Sequence, residues 1–329
     1  MIKGYQKYVA ENRNLVYVST FIVILLRLCF LFTDNEYLQD KGDFLWYLFT
    51  PFFANKYVAF ACSLLFTIGI GLQITHLNGK YGLIRGKTSL PYVFTIFLLS
   101  ASPALIFMTT SHLGVVAILL CVDRLFDSYH NQKSSRQAFS IGFIIALGSL
   151  VIPGILLFLF VFWIGFFQMR SFSLKSFFAS LFGVVMIYWL AISYLFFQQQ
   201  IDDVYIRFIS EINIMDSISV LWMDMGSIIT FSIYTIVVLI VIIGSYVDKF
   251  KDKIQVRTNL SFLKLTFIFS VLAYFFITLH PQFYLVTAIV ISGFIFAHYF
   301  ALVDKKWKVY FFIVLVVFYL LNYLYLLIK

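Results

Sequence analysis

Long apolar runs separated by short polar clusters dominate the chain, and the runs are apolar throughout rather than along one stripe or in alternation. A helix needs about 20 predominantly apolar residues to cross the hydrocarbon core of a bilayer. Seven runs of that size stand out: 15–33, 57–75, 176–197, 227–246, 261–279, 283–302 and 309–328. Two longer stretches, 89–121 and 137–169, would each reach about 50 Å as one straight helix, against a core of about 30 Å. Each therefore predicts a hairpin of two spans. Pro153-Gly154 divides the second stretch, and the polar patch Thr109-Thr110-Ser111-His112 divides the first. Strands of a membrane barrel would alternate apolar and polar positions over about ten residues, which these runs do not. The pattern predicts an all-α polytopic membrane bundle of eleven transmembrane helices, a single integral membrane domain over residues 1–329. No internal repeat, linker or loop large enough for a soluble domain interrupts it.

Composition agrees: 62% of the 329 residues are apolar and 12% charged, which excludes a water-soluble globule. The formal charge of +9 does not indicate nucleic acid, because the basic residues sit as short clusters between apolar runs instead of gathering on a solvated face. They report topology. With eleven spans and the amino terminus inside, nineteen of the 24 Lys and Arg fall in inner segments, and only Lys41, Lys56, Arg207 and Lys329 in outer ones. Nine of the 15 acids lie outside, so the bias predicts a cytoplasmic amino terminus and an outer carboxyl terminus. The first run follows Lys3, Lys7 and Arg13, lacks a small-residue cleavage pattern, and reads as an uncleaved signal anchor. Cys29, Cys62 and Cys121 occupy separate runs and form neither a disulfide framework nor a thiolate metal site.

Four features carry candidate chemistry. The first outer loop, 34–53, packs Asp34, Glu36, Asp40 and Asp43 into ten residues. Such carboxylates can hold a divalent cation or supply a general base, or can simply be the solvated acids of an outer loop. Arg27 is a charge inside a span, which costs about 2.5 to 3.5 kcal/mol on insertion scales and requires a partner or a watery cavity. It reads in two ways: as the ligand of a lipid phosphate or other anionic substrate in a recess below the acidic loop, or as an interhelical hydrogen-bonding residue that fixes packing. Residues 198–224 form the longest outer connection, and Ile201, Val204, Tyr205, Phe208, Ile212 and Met215 recur there at helical spacing. That stripe predicts an amphipathic surface helix, a lid or a shield. His112 and His280 fall at tight outer turns, the second before Pro281, where they can join the acids around one outer cavity or merely hydrogen-bond at the interface. His76 and His130 belong to inner loops, Leu77-Asn78-Gly79-Lys80 reads as a turn, and Asp123, Arg124 and Asp127 read as interface pairing at the inner face. No two histidines share metal-ligand spacing.

Two resemblances follow. The segments SLPYVFTIFLLSASPALIF (89–107), LLCVDRLFDSY (119–129) and the run from Phe139 to Gly183 resemble a family of uncharacterised multi-pass inner-membrane proteins of the Bacteroidetes type. That family implies a location and no activity. The architecture, with an inside amino terminus, an acidic first outer loop, tight outer hairpins and Ser102-Pro103 in the third span, is similar to the C-type glycosyltransferases, which use polyprenyl-phosphate sugars. The resemblance implies a catalytic carboxylate among the first-loop acids, Asp34 or Glu36 nearest the membrane, and a donor phosphate at Arg27. The sequence departs from it in a short first loop and in Ser111-His112-Leu113 where such enzymes often carry a second acid. The expectation is a multi-pass protein of the bacterial inner membrane, surrounded by lipid, handling a lipid-linked sugar. A non-catalytic scaffold bound to an envelope protein is the alternative, and a secondary transporter, which would pair broken helices in matching halves, is the third reading.

Overall fold

The computed structural model describes residues 14–32, 46, 49–84, 88–101, 105–197, 225–247, 252–277, 280–301 and 306–328, with Val9, Asn12 and Val303. Among the described residues there are eleven α-helices and no strand. They are α1 (Leu15–Leu31), α2 (Lys56–Tyr81), α3 (Leu90–Leu99), α4 (Thr110–Asp127), α5 (Ser135–Ser149), α6 (Phe158–Gln168), α7 (Leu174–Phe197), α8 (Met225–Val247), α9 (Ile254–Phe276), α10 (Pro281–Ala301) and α11 (Lys306–Ile328). A short 3-10 turn, Pro153–Leu157, leads into α6. Among the described residues five helices are long and apolar enough to cross a membrane: α2, α7, α9, α10 and α11. The exterior suits lipid. Phe182, Val185 and Trp189 of α7 and Val314, Leu321 and Tyr325 of α11 are each more than half exposed, a surface that water would not tolerate over such an area.

The two long apolar stretches both fold back, but the first breaks elsewhere than its polar patch suggests. Helix α3 stops after ten residues, about 15 Å of rise, which is half a hydrocarbon core. Ser100 and Ala101 lie outside α3, and α4 begins at Thr110, capped by Thr109. His112 is therefore not in a turn: it is the third residue of α4 and fully buried. A second correction concerns Leu77-Asn78-Gly79-Lys80, which is the last turn of α2 and not a loop, so that His76 is helical too. The chain reverses at Gly82 instead, in the left-handed region at φ 57°, where glycine is at ease. Asn78 explains the shift: its carbonyl accepts the Gly82 N–H and its side-chain oxygen accepts the Ile84 N–H. His280 does stand at a turn, with φ 52°, immediately before the first residue of α10. The acids Asp34, Glu36, Asp40 and Asp43 and the 198–224 stripe lie outside the described residues.

Helix α10 is the axis of the bundle. All its residues from Phe283 to Ala301 are buried except Leu285, which is partly so, as expected for a helix apolar on every side. Helices α3, α4, α8 and α9 pack around it. Small residues set the closest approaches: a Cβ on Gly293 would lie 2.6 Å from Thr95 Oγ1 of α3, and one on Gly71 of α2 would lie 2.8 Å from the Tyr92 ring. The short α3 is thus wedged between α2 and α10. Its remaining sides are held by hydroxyls, Thr20 to Tyr92 at 2.7 Å and Tyr319 donating to the Phe97 carbonyl at 3.0 Å.

Helices α5 and α7 run parallel and touch along backbone. A Cβ on Gly142 would collide with the Ser180 carbonyl, and one on Gly183 would lie 2.6 Å from the Phe139 carbonyl. Without a hydrophobic driving force between helices in lipid, such small-residue seams carry the packing. Gly142→Leu is therefore expected to destabilise the protein by about 3 kcal/mol, the upper end for overpacking. Thermal unfolding in detergent would show it. Gly69→Ala, where an added Cβ meets nothing within 4 Å, should leave the midpoint unchanged or higher, and equal midpoints for the two variants would remove the seam from the account.

Candidate functional site

The side chain with the least natural place in such a bundle is Arg27, and the structure gives it a complete shell. It lies four residues from the end of α1, is fully buried, and is enclosed by α2, α3 and the segment leading to α4. Nε donates to Ser100 Oγ at 3.0 Å and Nη1 to Ser63 Oγ at 3.0 Å. Nη2 donates to two carbonyls, Leu99 and Leu105, both at 3.3 Å. Four of the five guanidinium N–H donors are thereby used. No carboxylate pairs with Arg27 among the described residues.

The reason lies in α3. A helix leaves its last carbonyls without intrahelical donors, and α3 ends inside the bundle, where water cannot serve them. Phe97 O receives Tyr319 and the Ser100 N–H, Leu98 O receives the Ala101 N–H, and Leu99 O receives Arg27. The carboxyl end of a helix also carries partial negative charge, which favours a cation there. Arg27 is a cap supplied from another helix.

His112 extends the shell. Thr109 N–H points at His112 Nδ1 at 3.3 Å and Thr109 Oγ1 lies 3.0 Å from the same nitrogen. The imidazole takes the part that Glu or Gln plays in a capping box. Because Nδ1 accepts from a backbone N–H, the ring proton resides on Nε2, which faces Ser63 Oγ at 3.3 Å. Ser63 in turn donates to Leu105 O at 3.1 Å. One hydroxyl thus accepts from Arg27 and His112 and donates to the same carbonyl that Arg27 reaches. The network joins α1, α2, α3 and α4 through neutral groups.

Above it sits an aromatic plug. Trp46, from the segment between α1 and α2, is 1% exposed and stacks on Phe53 at 5.2 Å. It packs with Ala59 and Met108, one turn before Ser63 and one residue before Thr109. Trp46, three residues after Asp43 in the sequence, is thereby fixed beside the Arg27 network. Asp34, Glu36, Asp40 and Asp43, with any divalent cation they hold, fall outside the described residues. Of the other candidates, the structure brings Arg27 and His112 together through Ser63. His280 precedes α10 at the same end of the bundle, since a Cβ on Gly114, near the start of α4, would lie 2.6 Å from the Phe283 ring.

A second polar cluster occupies the opposite ends of α2 and α4. Lys80 Nζ lies 2.8 Å from Asp123 Oδ1 and 2.9 Å from Asp127 Oδ1, and the Tyr81 hydroxyl reaches the same two carboxylates at 2.8 Å. Asp123 and Asp127 share a helix face by their spacing of four. The expected pairing is present, with Lys80 as the partner that the sequence leaves unnamed.

In comparison with known proteins, no family model, no curated protein and no solved structure matches the chain.

Removing Arg27 should expose the cost of an unmet helix end. Arg27→Met leaves Leu99 O without its donor and Leu105 O with one fewer, at about 1 to 3 kcal/mol for each buried acceptor orphaned. Arg27→Lys, with a single nitrogen, should recover only part. Ser100→Ala, which removes one acceptor from a guanidinium that keeps three bonds, should cost least. Midpoints of thermal unfolding in detergent give the order, and an Arg27→Met protein as stable as the original would contradict it.

Proposed function

We propose that the chain is an eleven-span protein of the bacterial inner membrane, amino terminus inside and carboxyl terminus outside, that handles lipid-linked sugars at the outer face. The orientation is supported by the charge bias, which puts the Lys80 and Asp123 ends of α2 and α4 on the cytoplasmic side. The observation that supports the functional part is Trp46, buried against Ala59 and Met108 beside the Arg27 network and three residues along the sequence from the last of the four acids. Carboxylates of that stretch can act as general base toward a sugar hydroxyl, a contribution of about 100-fold or more. In this reading Asp34, Glu36, Asp40 and Asp43 are the chemical groups. Arg27 and His112 are positioning residues that fix the break between α3 and α4. The architectural similarity to the C-type glycosyltransferases supports the substrate class, a polyprenyl-phosphate-linked sugar.

The second reading, a non-catalytic scaffold of an envelope assembly, is favoured by one observation. Four of the five Arg27 donors serve Ser63, Ser100 and the Leu99 and Leu105 carbonyls, a packing role that requires no substrate.

A reporter that works only outside the cytoplasm should be silent when fused after Asp127 and active after Asp216; the reverse pattern would overturn the topology. For the activity, Asp34→Asn, Glu36→Gln, Asp40→Asn and Asp43→Asn are made singly, and lipid-linked intermediates and surface glycan are quantified. At least one is expected to lower transfer by about 100-fold, with the intermediate accumulating. If all four leave both pools unchanged, the enzyme reading fails, and a stoichiometric partner in a mild-detergent pull-down would then establish the scaffold.

A further inference from the structure

A groove runs along the flank of the bundle between α2 and α4 and ends at the Lys80–Asp123–Asp127 cluster. We propose that it binds one phospholipid with a primary-amine headgroup, the phosphate on Gln73 and His76 and the ammonium on the Asp123 and Asp127 carboxylates. The proposal rests on α2 and α4 lying in a bilayer and is independent of the activity proposed above.

The groove has a volume of about 430 Å³, within the range that holds a small ligand. Leu72, Leu77, Val116 and Leu120 make its wall apolar, while Gln73, His76 and Asp123 also line it. Neither the Gln73 amide nor the His76 imidazole has a hydrogen-bond partner among the described residues, although both have donors to offer. On a face turned to hydrocarbon such groups are costly unless something outside the protein meets them. A lipid phosphate, rich in acceptor oxygens, meets both.

Charge selects the rest of the headgroup. Among the described residues of the cluster, Lys80 with Asp123 and Asp127 leaves one net negative charge at the mouth, and each carboxylate retains acceptor capacity beyond what Lys80 and Tyr81 use. Arg124 follows Asp123 by one residue and so stands about 100° round the helix. An ammonium is complementary to this mouth, and a headgroup lacking one would face two carboxylates. The order along the groove also fits. From Leu72 to Lys80 the helix rises about 12 Å, passing from apolar wall to hydrogen-bond donors to carboxylates. A phospholipid presents acyl chain, phosphate and ammonium in that sequence.

The test uses the full chain purified in detergent. Phosphatidylethanolamine, phosphatidylcholine and phosphatidylglycerol of identical acyl composition are titrated and bound lipid is counted by native mass spectrometry. The ethanolamine lipid should bind about tenfold more tightly than either of the others, the choline lipid because its quaternary nitrogen cannot donate to a carboxylate. Gln73→Leu combined with His76→Leu, at positions outside the packed core, should lose about tenfold for the ethanolamine lipid. Asp123→Asn combined with Asp127→Asn leaves Lys80 unopposed and should turn the preference toward the glycerol lipid. Equal binding of the three lipids by the unaltered protein overturns the proposal without recourse to any variant, and so does unchanged selectivity in the aspartate pair. Neither result touches the glycan assay, so the two readings fail separately.

Discussion

The interaction on which the amino-terminal half depends is the capping of α3 by Arg27. A helix of ten residues that ends inside an apolar bundle presents carbonyls that neither water nor a following turn can fully serve. The guanidinium is suited to the place because its planar fork carries several donors in fixed directions and keeps its charge when buried. It reaches the last carbonyl of α3, the carbonyl of Leu105 beyond the break, and a serine on each side. Among the described residues the charge meets oriented dipoles and no counter-ion. Four elements are fixed relative to one another at the cost of one expensive side chain.

That arrangement requires α3 to be held on its other faces, and the small residues do this. Gly71 and Gly293 let α2 and α10 close on it to near backbone contact, while Tyr92, Tyr319 and Thr20 supply hydroxyls where side chains would otherwise leave gaps. Tyr323 ties α11 to the Leu26 carbonyl, one residue before Arg27. The carboxyl-terminal helix therefore supports the same centre that the first four helices build. In the rest of the bundle, α5 and α7 rely on glycine contact and α10 on burial of its whole circumference.

How much of this the sequence displays depends on the kind of signal. Apolar runs are long and unambiguous, so the helices and the two reversals are legible, Pro153-Gly154 marking one of them at the residue. Arg27 is legible as an anomaly because charge in such a run is rare. Its partners are not, because Ser63, Ser100 and two backbone carbonyls are neutral groups that no charge count finds. The early stop of α3 is legible in part: Pro103, four residues after Leu99, has no N–H to give the Leu99 carbonyl, and what the sequence does not display is that this carbonyl accepts from Arg27 instead. The turn expected at Asn78-Gly79 fails for a related reason, since Asn78 is more useful accepting from Gly82 and Ile84 than reversing the chain. Lys80 becomes identifiable as a partner of Asp123 and Asp127 only once α2 and α4 are known to lie side by side.

The reach of the Arg27 bonds bears on how the chain is made. Ser63 lies 36 residues after Arg27 and Leu105 lies 78 residues after it. During synthesis the first helix must accordingly enter the membrane, or wait at its edge, with a charge whose acceptors have yet to leave the ribosome. Ser63 arrives with α2 and the two carbonyls only later, so the cost of inserting the arginine, about 2.5 to 3.5 kcal/mol at a helix centre, is met in stages. The first helix can settle to its final depth only when α3 arrives and offers its open end, so the step that completes the third helix also completes the first.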